Sequence, residues 1–260
     1  MPSYSFEAKL DRAGQHLKEL RTELDSWIKN RPYRITDKLD PDNGDNVIYG
    51  QLRQAMPPSI TELVGDCLQN LRSSLDHLAY ALAIANKGSL TDAEEMQVAF
   101  PIFRDSTKFE GGGMKKIALL SAGAQTIIEG LQPCHTKNPT SHWLWSLEKL
   151  NNIDKHRRLL INVVSHVGSL IHNPPGTQME FFRDSGGDGM LRETETELAR
   201  YRCIEIKTSK RVKVDLRPKF IVVLGDIPSK DLIAGMVPHL LDNSHRWIGE
   251  VIIPRLQPHL

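Results

Sequence analysis

Between Leu63 and Leu82 the apolar residues Leu63, Val64, Cys67, Leu68, Leu71, Leu75, Leu78 and Leu82 recur one, three and four apart. No other feature constrains the fold as much. This spacing puts one apolar face on an α-helix and excludes the two-residue alternation of a half-buried strand. Pro57 and Pro58 precede Ser59, and Glu62 follows three residues later, a pattern that predicts a capped start; Gly88 supplies a stop near Asn86. The helix should then be about seven turns long. A second narrow stripe (Leu10, Ala13, Leu17, Leu20, Leu24, Trp27) predicts another long helix over residues 5–30. Two such helices need partners, which points to a hairpin or bundle.

The middle of the chain is punctuated. Asp37–Asn46 is dense in turn residues and reads as a loop. Thr91 and Glu94 resemble another cap. Gly111, Gly112 and Gly113 lead into Met114-Lys115-Lys116, not into the Gly-Lys-Ser/Thr of a phosphate loop, so they read as a flexible turn. Helices are expected at about 115–131 and 140–157. After Leu160 the pattern changes to short runs rich in Val, Ile, Phe and Tyr: 160–167, 178–182, 200–206, 211–216 and 219–224, with a glycine-rich turn at 185–190. A last helix is expected over 229–255, with Pro238 as a possible kink. Helices, then strands, then a closing helix make an α+β protein: a helical bundle with a small antiparallel β-sheet inserted before the C-terminal helix. One domain of 1–260 is expected, with helical parts at 1–158 and 229–260 and a strand-rich part at 159–228.

The charges nearly cancel, 33 Lys and Arg against 32 Asp and Glu, so no global field steers the chain toward nucleic acid or acidic lipid. No apolar run reaches the roughly 20 residues that span a bilayer, and no basic-then-apolar leader opens the chain. A cytoplasmic protein without membrane contact is the expectation. Cys67, Cys134 and Cys203 are too dispersed for a disulfide framework or zinc knuckle, and Cys67 reads as a small core residue.

Polar chemistry is concentrated in two segments. In Arg72-Ser73-Ser74-Leu75-Asp76-His77, Arg72, Asp76 and Tyr80 project away from the leucine arc, and Arg72 and Asp76 are spaced for an ion pair. Taken by spacing alone, this is a solvated helix face. In Trp143–Arg158, Asp154 and Arg157 fall on the same stripe as Trp143, Leu147 and Leu150, with Asn151 beside it. A charge in a core direction needs compensation, supplied either by a buried ion-pair network or by a functional cleft. Asp76, His77, Glu148, Asp154 and His156 are metal-ligand types, but neither Glu-x-x-His nor His-x-x-x-His spacing occurs, so no metal and no cofactor are expected. No serine stands in a nucleophile elbow.

The run Arg72-Ser73-Ser74-Leu75-Asp76-His77 resembles the HEPN superfamily, small helical bundles marked by Arg, a polar residue, and His a few residues on. The resemblance covers six residues. It implies a metal-independent endoribonuclease acting on RNA as a homodimer, with Arg72 and His77 as the catalytic pair and Asp76 orienting them. Histidine can move a proton at the ribose hydroxyl or leaving oxygen, and arginine can hold the phosphate. Asn151, Asp154, Lys155, His156 and Arg157 would then support or bind substrate. The alternative is a non-catalytic helical scaffold or ligand-binding protein in which the polar segments form a buried network.

Overall fold

In the computed structural model, residues 5–156, 161–166, 177–182, 191–206, 219–224 and 237–260 are described. They form an α+β protein in which a helical bundle accompanies antiparallel sheet. The chain divides into two compact units, one of residues 1–23, 58–160 and 226–260 and the other of residues 24–57 and 161–225.

The first unit is helical. Helix α1 (Ser5–Lys29) begins in it and buries Phe6, Leu10, Ala13, Leu17 and Leu20. Helix α2 (Pro58–Lys87) is its long central element, with Cys67, Leu68, Leu71, Leu75 and Leu78 all fully buried. Proline opens α2, where its missing N–H would be unpaired in any case. Ser59 is not the cap: its hydroxyl donates to Glu23 Oε2 at 2.5 Å. The short α3 (Asp92–Gln97) does carry the expected box, in which Thr91 N donates to Glu94 Oε2 at 3.0 Å.

The triple glycine is not a loose turn. It ends a π-helical turn (Phe109–Gly113) that joins α4 (Ser106–Lys108) to α5 (Met114–Ile117). The helix expected at 115–131 is broken at Ser121, whose hydroxyl accepts from Ala124 N at 3.3 Å and caps α6 (Ala122–Gly130). Helix α7 (Trp143–His156) packs against α2. Helix α8 (Val237–Trp247), with Pro238 at its second described position, passes through a π-helical turn (Ile248–Ile252) into α9 (Ile253–Leu256). Residues 229–236 of the expected last helix lie outside the described residues. No described helix is long and apolar enough to cross a membrane.

A strap of irregular chain, Val98–Asp105, crosses this unit between α3 and α4. Pro101 removes one donor and holds Phe100 extended, so the strap cannot satisfy its own backbone. Phe100 and Ile102 are nevertheless buried. Side chains supply the missing partners, as a buried backbone requires. Gln132, fully buried, donates through Nε2 to Pro101 O at 2.8 Å and accepts from Phe103 N through Oε1 at 3.1 Å.

The second unit holds the strands. β1 (Tyr33–Leu39), β2 (Asn46–Leu52), β5 (Thr196–Ile206) and β4 (Thr177–Phe182) form a four-stranded antiparallel sheet in that order. β3 (Ile161–His166) and β6 (Lys219–Leu224) pair antiparallel as a second sheet. The expected strand 211–216 and turn 185–190 lie outside the described residues.

The sheet therefore does not come solely from the region before the last helix, because the β1–β2 hairpin precedes α2. The expected loop 37–46 narrows to a turn at residues 40–45. There Gly44 takes φ +74°, and the Asp40 and Asn43 side chains accept from the backbone of Asp42 and Asp45. Arg200 and Arg202 from β5 reach that turn, at 2.5 Å to Asp40 and 2.6 Å to Asp45. The negative charges of the turn residues are thus matched from the adjacent strand. A Cβ at Gly50 in β2 would come within 2.4 Å of Leu191 Cδ2 and 2.6 Å of Leu198 Cδ1, so a side chain there would make both leucines shift.

Gln132→Ala should lower the unfolding free energy by about 3 kcal/mol, because it strands buried donors and acceptors of the strap. Thr126→Ala, on an exposed face of α6, should change it by less than about 0.5 kcal/mol in the same urea titration.

Candidate functional site

The α2 face that carries Arg72 is not solvated. Arg72 is only 8% exposed, because α7 and the strap cover it. Its Nη2 donates to Phe100 O at 2.8 Å and lies 3.1 Å from Asp76 Oδ1. Phe100 N donates back to the same Asp76 oxygen at 3.0 Å. Arg72 and Asp76 thus close a ring of contacts around one residue, holding both the N–H and the C=O of Phe100.

The expected i, i+4 pair is present, but its surroundings differ from a surface pair. On the α7 side, Arg72 Nε sits 2.9 Å from Glu148 Oε2, an ion pair whose N–H is not aimed at the oxygen. Arg72 Nη1 is buried and has no hydrogen-bond partner among the described residues. Glu148 is further held by Asn152, whose Nδ2 donates to Oε1 at 3.1 Å.

Asp76 feels opposed influences. Burial raises its carboxyl above the usual carboxylate range, and Glu148 adds to the rise; Arg72, the Phe100 N–H and Lys116 pull it down. The net direction is upward. With two carboxylates and the Phe100 carbonyl around it, the guanidinium is enclosed, which leaves Arg72 no open side toward a phosphate.

The two polar segments do meet, through Arg72 and Glu148. The other proposed site residues are distributed differently. His77 is half-buried and makes no hydrogen bond or ion pair among the described residues. Residues five apart on an α-helix project about 140° apart, so His77 and Arg72 leave α2 in different directions. Asn151 is 1% exposed, and neither Nδ2 nor Oδ1 has a partner among the described residues. Lys155 and His156 are exposed at the end of α7, and Arg157 lies outside the described residues.

Asp154 is half-buried beside Gly65 of α2, where a Cβ would come within 2.8 Å of its carboxylate. Among the described residues it has no ion pair. Burial, and then the neighbouring Asp66 carboxylate, raise its pKa instead. No group of three or more potential metal ligands converges among the described residues.

Sequence reasoning missed the Phe100 peptide altogether and named Glu148 only as a ligand type. Phe100-Pro101 was a usable signal, because the residue before proline is extended and needs partners from elsewhere. Compared with known families, curated proteins and solved structures, the chain matches none.

Two outcomes follow. Arg72→Ala should cost about 3 kcal/mol in urea unfolding, since it leaves two part-buried carboxylates and a buried carbonyl without their cation or donor. For Asp154 the folded pKa is raised, so its contribution favours folding below the usual value of about 3.9 and is lost as pH rises through the folded pKa. Asp154→Asn should therefore stabilise the protein at neutral pH, and that gain should vanish below about pH 4.

Proposed function

We propose that the helical unit is a ligand-binding scaffold and that the Arg72 segment is its architectural lock. The observation that carries this reading is the enclosure of the guanidinium. Arg72 contacts the Phe100 carbonyl, Asp76 and Glu148 at 2.8 to 3.1 Å and is 8% exposed. A phosphate would have to displace two carboxylates and unseat the strap to reach it. Buried ionic groups of this kind fix helix register and connection geometry.

A second reading rests on His77. That histidine is half-buried and has no hydrogen-bond or ion-pair partner among the described residues, and its residue type suits a HEPN-like, metal-independent endoribonuclease working as a homodimer on RNA. In that reading Asp76 would orient Arg72, and a second protomer would have to bring its own His77 toward the shared substrate, since one helix sends the two side chains about 140° apart. Lys155, His156 and Arg157 would contact the RNA backbone.

The test is cleavage of labelled RNA in EDTA by the wild type, Arg72→Lys and His77→Ala, each with its thermal melt. A scaffold predicts no cleavage by any of them, a lowered melting temperature for Arg72→Lys, whose ammonium cannot reproduce the fork, and a nearly unchanged melt for His77→Ala. Cleavage by the wild type that His77→Ala abolishes without loss of folding would contradict it and support the nuclease.

A further inference from the structure

Helix α8 does not run on as an α-helix. After Trp247 the chain makes its π-helical turn, closed by Ile253 N donating to Ile248 O. Such a turn inserts an extra residue, so side chains four apart across it no longer stack as they do on an α-helix, and turns of this kind recur at functional sites. Arg246 and Glu250 straddle its start. Four apart on an α-helix they would be spaced to pair, yet no ion pair joins them. Neither the guanidinium nor the carboxylate has an ionic partner among the described residues.

Both side chains line one groove of about 510 Å³, together with Arg21, His239, Asp242 and Asn243. All six residues belong to the helical unit. The volume falls within the range of sites for small organic molecules.

The other polar groups of this lining are engaged. Arg21 of α1 and Asp242 of α8 neutralise one another in an ion pair. Asn243 Oδ1 accepts from Arg246 Nη2 at 3.3 Å, and Asn243 Nδ2 donates to His239 Nε2 at 2.9 Å. His239, Asn243 and Arg246, at i, i+4 and i+7, thus form a relay that steadies the guanidinium and occupies only one of its nitrogens. The helix beneath them is fixed. His245 Nε2 donates to Leu10 O at 3.2 Å, and a Cβ at Gly249 would come to 3.3 Å from Leu10 Cδ2, so α1 lies close. Trp247 stacks on Trp143 of α7, with centroids 6.2 Å apart and planes inclined by 26°.

We propose that this groove binds a small zwitterion, a free amino acid with an uncharged polar side chain. The ligand's carboxylate pairs with Arg246, whose planar fork matches two carboxylate oxygens, and its ammonium pairs with Glu250. With Arg21 and Asp242 cancelling, one positive and one negative charge remain in the lining. A ligand that carries one of each leaves neither unmatched. A simple anion would meet the repulsion of Glu250, and a simple cation that of Arg246. The Arg21–Asp242 pair offers a donor and an acceptor without net charge, which suits an amide side chain such as that of glutamine. The inference names the ligand of the scaffold proposed above and rests on that reading.

Backbone amide shifts of residues 246–250 in the isotope-labelled full chain read the site during titration. L-Glutamine should move them saturably. Glutaramate, which lacks the amino group, and 4-aminobutanamide, which lacks the carboxylate, should each bind about 10- to 100-fold more weakly, since each forfeits one charge-assisted contact. Arg246→Gln should weaken L-glutamine by a similar factor while leaving 4-aminobutanamide unchanged. Glu250→Gln should also weaken L-glutamine, and it should not weaken glutaramate. Both positions are exposed, so circular dichroism of the variants should match the wild type. No saturable shift in the folded wild type would overturn the proposal. Equal affinity for L-glutamine and glutaramate would overturn it too and leave a plain anion site, as would L-glutamine binding unaltered by either substitution. The scaffold reading fails separately, on RNA cleavage that His77→Ala abolishes, whereas absent shifts without cleavage remove this ligand alone.

Discussion

The backbone of Phe100 is the point on which the helical unit depends. Pro101 denies the strap any regular hydrogen-bond ladder, yet Phe100 and Ile102 are buried, so their backbone has to be satisfied by side chains. Arg72 and Asp76 do this from α2, and Gln132 does it one peptide further on. Through Glu148 the same guanidinium reaches α7. One cation thus links the central helix, the strap and the helix packed against it. Its burial is tolerable because carboxylates and a carbonyl surround it, and removing any of these would leave charge or dipole stranded in a poorly hydrated place.

This arrangement changes the meaning of the most conspicuous sequence motif. An Arg and a His five apart suggest phosphate and proton chemistry when read as residue types. In the folded chain they diverge: Arg72 goes inward to the Phe100 carbonyl, and His77 is left half-buried without a partner among the described residues. Asn151 and Asp154 on α7 carry a different kind of cost. An amide with both ends unpaired and a carboxylate pressed against Gly65 with Asp66 nearby each weaken the seam they occupy. Polar groups kept at such a cost make the α2–α7 seam a place where stability and function can be traded.

Much of the architecture was legible because it depends on local periodicity. The stripe of α1, the leucines of α2, the capping box at Thr91 and four of the strands follow from spacing and turn residues. The failures share a cause. The β1–β2 hairpin was hidden because the turn residues at 40–45 bled into the reading of the strands around them. The Arg72 face was taken for solvated because helical projection reports direction and not what lies in that direction. Neither the strap nor Glu148 is near Arg72 in sequence, and their contacts are tertiary. The Trp143–Trp247 stack likewise joins residues far apart in the chain, with no spacing to announce it.

Amide hydrogen exchange at Phe100 tests the lock most directly, because it reads the clamped N–H itself. If Arg72 and Asp76 hold this peptide, its amide exchanges about as slowly as those in the middle of α2, and Arg72→Lys accelerates it well before the helix amides change. Exchange at the rate of an exposed loop in the wild type, or protection unaltered by Arg72→Lys, would contradict the architectural role and return Arg72 to the list of groups available for chemistry.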